Sequence, residues 1–116
     1  MKQILLLEDD AALGRGISFA LENGDIHVSL YPTLAQARTA LSAAAFDLLI
    51  LDVNLPDGNG LELLWEVRRS GTAVPVILLT ANDLETDIVT GLESGADDYV
   101  KKQISLAVLL DRFTAQ

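Results

Sequence analysis

The chain of 116 residues contains no cysteine. Disulfides, thiol nucleophiles and cysteine-based zinc centres are therefore excluded, and a cytoplasmic setting fits. Basic residues are scarce, with 8 Lys and Arg against 17 Asp and Glu, for a net charge of −9. A polyanion is repelled by such a surface, so no direct nucleic-acid binding by this domain is expected. The surplus carboxylates keep the chain soluble and suit a cation or a basic partner face. No apolar run approaches the ~20 residues that span a bilayer. Met1-Lys2-Gln3 leads straight into Ile4–Leu7, too short an apolar stretch for a signal peptide, and no membrane partner is expected. A Gly-rich phosphate loop is missing, so a nucleotide is not the expected ligand. Repeats, low-complexity tracts and linkers are missing too, which predicts one domain over 1–116 and no second domain in the chain.

What the chain does have is three unbroken apolar runs, Ile4–Leu7, Leu48–Leu51 and Val76–Leu79. Strands buried on both faces read this way. His27–Tyr31 alternates instead, as an edge strand does, and Asp98–Lys101 is short. Between the strands, apolar residues recur at helical spacing. Leu13, Ile17, Ala20 and Leu21 mark a helix over 11–22, ended by Asn23-Gly24. Leu34, Ala37, Leu41 and Ala44 mark a second, with Thr33 and Gln36 at capping-box spacing. Leu61, Leu64 and Val67 mark a third after Gly60, stopped at Ser70-Gly71. A fourth is expected over 83–94, closed by Gly95, and a fifth after Ser105. Strict alternation with short loops requires a parallel sheet with right-handed crossovers. The expected fold is α/β: a flavodoxin-like, doubly wound, five-stranded parallel sheet in the order 2-1-3-4-5 with five helices. Its topological switch point lies between strands one and three.

Chemistry gathers at that switch point. Leu48–Leu51 stops at Asp52, and Asn54-Leu-Pro-Asp-Gly-Asn-Gly follows, rich in turn formers. Glu8-Asp9-Asp10 ends strand one. The carboxyl ends of parallel strands point the same way, so Glu8, Asp9 and Asp52 should meet in one crevice. Crowded like charges share a proton or recruit a cation. An all-oxygen set of few carboxylates suits Mg²⁺. Asp10 is accounted for by capping the first helix. Thr80 ends strand four on the same edge, where its hydroxyl can bond an oxygen carried by Asp52. Lys101 or Lys102 can supply a cation. A nucleophile, a metal, a hydroxyl and a cation are the parts of phosphoryl transfer to a carboxylate, and Asp52 is the expected acceptor. His27, the only histidine, sits mid-strand near an edge and reads as a surface residue rather than a phosphodonor.

LLLEDD at 5–10, LILDVNLPDGNGLELL at 49–64, VILLTAND at 76–83 and GADDYVKK at 95–102, in this order and spacing, resemble the receiver domain of bacterial two-component response regulators. The likeness covers nearly the whole chain. It implies phosphorylation of Asp52 by a sensor histidine kinase. It implies Mg²⁺ held by Asp9, by Glu8 through water, by Asp52 and by the backbone carbonyl of Asn54. It also implies phosphoryl contacts from Thr80, Ala81 and Lys102, the last selected over Lys101 by its place three residues after Tyr99. Thr80 and Tyr99 would form the switch. The GADDY segment is most similar to the OmpR/PhoB-type, winged-helix subfamily of transcriptional regulators. That implies a homodimer on activation through the face of helix four, strand five and helix five.

Two positions depart from the family. The lysine normally precedes a cis proline, but Lys102 precedes Gln103. A cis bond to a non-proline residue costs roughly 2.5–4 kcal/mol, so a trans bond with a rerouted or mobile loop is expected. On the dimer face, Ile88 and Val108 stand where a charged pair is usual, while Asp97, Asp98 and Arg112 match the usual charges. An apolar pair can replace an ion pair at little loss. The rival readings are an atypical receiver acting by phosphorylation-independent contacts, an aspartyl-phosphate phosphatase and a flavin module. The phosphatase would want an acid where Asn54 stands, and Glu8-Asp9-Asp10 would repel a flavin phosphate. No enzymatic turnover of a separate substrate is expected.

Overall fold

The computed structural model describes residues 2–80, 95, 96 and 98–101, with Thr80 and 98–101 described by their backbone. Strands β1 (Lys2–Leu7), β3 (Leu48–Asp52) and β6 (Val76–Thr80) are the three apolar runs. β2 (Ile26–Tyr31) lies on one edge and β7 (Asp98–Lys101) on the other. The sheet runs β2-β1-β3-β6-β7, and every pairing is parallel. The 2-1-3-4-5 order of the long strands is therefore as expected. A small antiparallel hairpin, β4 (Asn54–Leu55) with β5 (Gly58–Asn59), sits in the loop after β3. Helices α1 (Ala11–Leu21), α2 (Leu34–Ala43) and α3 (Gly60–Arg69) join the strands. The helices expected over 83–94 and after Ser105, and the Lys102–Gln103 bond, lie outside the described residues.

Alternate residues of each central strand serve opposite faces. Ile4 and Leu6 pack with Ile50 and Ile77 against Ile17 and Leu21 of α1. Leu5 and Leu7 pack with Leu49 and Leu51 against Leu34 of α2 and Leu63, Leu64 and Val67 of α3. A strand flanked by helices on both faces has no wet side, which is why these runs do not alternate in hydropathy.

Each of the three described helices starts on a side-chain cap. Asp10 accepts from the N–H groups of Ala12 and Leu13, Thr33 from Gln36, and Asn59 from Leu61. Two inward assignments shift. α2 ends at Ala43, so Ala44 is its exposed C-cap rather than part of the buried stripe. In α3, Leu63 and Leu64 are the buried pair and Leu61 is only half-buried.

Candidate functional site

Register sets the site. Leu7 pairs with Leu51, and Asp52 pairs with Leu79, so the tips of β1 and β3 lie side by side. Glu8 is 1% exposed and Asp52 is fully buried, while Asp9 is exposed. One carboxylate oxygen from each of Glu8, Asp9 and Asp52 lies within 4.8 Å of the others. The three acids that the sequence predicts at the switch point do converge.

Backbone contacts hold them there. The N–H of Glu8 donates to the Tyr31 carbonyl at 3.0 Å, which extends the parallel pairing one residue past β1. Glu8 Oε1 accepts the N–H of Asp10 at 3.1 Å, turning the side chain back over the strand tip. Asp52 Oδ1 accepts the N–H of Asn54 at 3.1 Å. Val53 donates to the Leu79 carbonyl and accepts from the N–H of Gly60, each at 3.0 Å. Asp10 stands apart as the α1 cap.

Burying an ionised carboxylate costs several kcal/mol. Two unit charges at about 4 Å repel by roughly 4 kcal/mol at the effective dielectric near a protein surface. The Leu and Ile side chains of β1, β3 and β6, each stabilising by roughly 1.5–3 kcal/mol, can carry that cost. The crowded like charges nevertheless suit a cation that offsets them. Every donor is oxygen and one acid is open to water. Such a set fits a hard divalent cation that keeps part of its hydration shell, so the residues present can hold a metal ion.

Of the other expected site residues, Asn54 is exposed and opens β4, its N–H directed to Asp52. Thr80 closes β6 opposite Lys101 in register, Tyr99 pairs with Leu78, and Asp98 with Ile77. The side chains of Thr80, Asp98, Tyr99 and Lys101 lie outside the described set, as do Ala81, Ile88, Asp97, Lys102, Val108 and Arg112. His27 is exposed, as expected, and its Nδ1 lies 3.3 Å from Glu22. Trp65 is 60% exposed, with the Arg69 guanidinium 5.6 Å from its ring centre.

Three residues outside the acidic cluster, Asp57, Arg38 and Arg68, were not singled out from the sequence. Asp57, read there only as a turn former, reaches across to α2. Its Oδ1 accepts the N–H of Leu34 at 2.9 Å and its Oδ2 that of Ala35 at 3.1 Å. The Leu34 N–H holds the Asp57 carboxyl below its ordinary range, and the Ala35 N–H, its own backbone N–H and Arg38 add to this. Arg38 forms a forked pair with Glu66 of α3 at 2.9–3.1 Å. The Glu66 hydrogen bond raises the Arg38 guanidinium further, helped by the charges of Glu66, Glu62 and Asp57. Arg68 donates to the carbonyls of Gly95, Thr72 and Val74 at 2.9, 3.0 and 2.7 Å. It thereby ties the end of α3 to the segment that enters β7. These partners lie far apart in sequence or on irregular backbone, where periodicity carries no signal.

No helix among the described residues is long and apolar enough to cross a membrane. A profile of the response regulator receiver domain matches residues 4–114. The chain is 44% identical over 113 residues to the response regulator protein PmrA of Pseudomonas aeruginosa, covering 97% of this chain and 51% of that one. It is 41% identical over 112 residues to the swarming motility regulation protein RssB of Serratia marcescens, covering 97% and 51%. The chain thus spans about half the length of the curated relatives it matches. The BeF3-activated receiver domain of Klebsiella pneumoniae RstA superposes with a TM-score of 0.90 at 32% identity, covering 98% of this chain and 97% of that one. Sequence match, sheet order and the acidic strand tips agree. The chain belongs to the receiver-domain family of two-component response regulators, and its relatives are transcriptional regulators of the OmpR/PhoB type.

Proposed function

We propose that this domain is a signalling switch that takes a phosphoryl group onto Asp52 from the phosphohistidine of a sensor kinase. The convergence of Glu8, Asp9 and Asp52 at the tips of adjacent strands carries this reading. An Asp52 carboxylate oxygen attacks phosphorus in line; the P–O bond forms as the P–N bond breaks, and the imidazole leaves with the electron pair. Asp9, Asp52 and the Asn54 carbonyl are the ligands we assign to Mg²⁺, with Glu8 acting through water. The ion supplies charge neutralisation among oxygens that would otherwise repel the incoming phosphoryl group. Burial of Asp52 and its hydrogen bond from the Asn54 N–H support a preset direction of attack.

The new dianion would draw in Thr80, the Ala81 N–H and Lys102, with Tyr99 following behind Thr80. Only contacts stronger in the active state can shift the balance. Moving it from mostly off to mostly on takes roughly 5.5 kcal/mol of differential stabilisation. The output is homodimerisation through the face that carries Ile88, Asp97, Asp98, Val108 and Arg112. In a longer chain it would pass to a DNA-binding domain that controls transcription. Transfer from a labelled sensor kinase tests the reading. Label should move to wild type with Mg²⁺ and remain on the kinase with a chelator or with Asp52→Asn. Equal labelling of Asp52→Asn would overturn it.

A further inference from the structure

Asp57 lies outside the acidic cluster, yet a chain of short contacts links it to Asp52. Its carboxylate takes the first two N–H groups of α2, those of Leu34 and Ala35, across 23 and 22 residues of sequence. Thr33 takes the N–H of Gln36, and the Thr33 carbonyl that of Ala37. The open donors of this first turn are thus divided between a local cap and a distant one. Behind Asp57, the β4–β5 ladder pairs Leu55 with Gly58 and Asn54 with Asn59. Asn54 in turn donates its N–H to Asp52 Oδ1. A second contact runs in parallel: the fully buried Leu34 side chain packs so closely on Gly58 that a Cβ there would stand 2.7 Å from Leu34 Cδ1.

The seven-residue loop 53–59, bearing Pro56 and Gly58, has many conformations open to it, and the described hairpin is only two residue pairs long. Two pairs do not hold a hairpin on their own. What anchors its far end is α2, through Asp57 and Leu34. Residues that orient a ligand's backbone or side chain act on metal affinity without touching the ion.

We propose that Asp57 is a positioning residue: by clamping the β3–α3 loop to the N-terminus of α2, it holds Asn54 and the Asp52 carboxylate in the geometry that binds Mg²⁺. This rests on the reading of Asp52 and Asn54 as ligands. Linkage is reciprocal, so Mg²⁺ binding in turn tightens the first turn of α2. α2 thereby becomes a second element, besides the switch face, that senses the occupancy of the site.

The test is titration with Mg²⁺ alone, followed by amide NMR, on wild type, Asp57→Ala, Asp57→Asn and Thr33→Ala. Wild type should bind, and the Leu34 and Ala35 amides should exchange more slowly with Mg²⁺ present. Asp57→Ala should bind roughly tenfold more weakly, and Asp57→Asn, which keeps one acceptor oxygen, should fall between. Thr33→Ala removes the other cap of the same helix. It should lower the melting temperature yet keep wild-type affinity, a split that a purely structural role for Asp57 would not produce. Wild-type affinity in folded Asp57→Ala, or an equal loss in Thr33→Ala, overturns the inference while leaving the Asp52 site intact. If Asp57→Ala fails to fold, unchanged Leu34 and Ala35 exchange in wild type on adding Mg²⁺ overturns it. Failure of wild type to bind Mg²⁺ removes both the inference and the reading beneath it.

Discussion

The backbone carbonyl oxygen of Asp52 occupies the space where a side chain on Gly60 would begin. Gly60 is the first residue of α3, its N–H donates to Val53 at 3.0 Å, and the helix thus starts in contact with the end of β3. The close approach lets α3 cover the strand whose tip carries the proposed phosphoacceptor. A methyl group at this position meets backbone, which cannot swing aside as a flexible side chain can. Gly60→Ala should therefore destabilise by roughly 1–3 kcal/mol or more, and should displace Asp52 as well. Denaturant unfolding measures the first effect and Mg²⁺ affinity the second. A variant with wild-type values of both would show that the helix start can slide freely.

The Asp57 cap has a defined pH response. Its carboxyl titrates below the ordinary value of 3.8, chiefly because the Leu34 N–H bonds the ionised form. A group whose folded value is lowered contributes stability above its unfolded value and loses it as pH falls through the folded one. The cap should therefore be intact at pH 5 and above and be lost only below pH 3.8. The Leu34 and Ala35 amide shifts report this directly. A midpoint above 3.8 in those shifts would contradict the assignment.

Much of this architecture was legible in the order of residues. Ile4–Leu7, Leu48–Leu51 and Val76–Leu79 lack alternation because helices cover both faces, and that alone put their strands at the centre of the sheet. Parallel pairing then forced Glu8, Asp9 and Asp52 to one edge. Phase within helices was less legible. Leu61, Leu63 and Leu64 all offer apolar area, and only the angle at which α3 leaves Gly60 decides which pair is buried. Ala44 fits the stripe of α2, but the helix has already ended. Asp57 and Arg68 were illegible for another reason. Their partners are backbone N–H and carbonyl groups, which every residue type carries, so no sequence pattern marks them.

The proposed dimer face makes a separate prediction. Ile88 and Val108 in place of charges should leave association less sensitive to salt than an ion-paired interface would be. Analytical ultracentrifugation with and without beryllofluoride and Mg²⁺ should show monomer converting to dimer, with the dimer persisting at raised ionic strength. A monomer in both states at high concentration would exclude this face as the output.

The most direct measurement is intact mass after incubation with acetyl phosphate, with and without Mg²⁺, for wild type and Asp52→Asn. Wild type should gain the mass of one phosphoryl group only when Mg²⁺ is present, and Asp52→Asn should gain none. A phosphoryl adduct on Asp52→Asn, or none on wild type with Mg²⁺, would contradict the assignment of Asp52 as the acceptor.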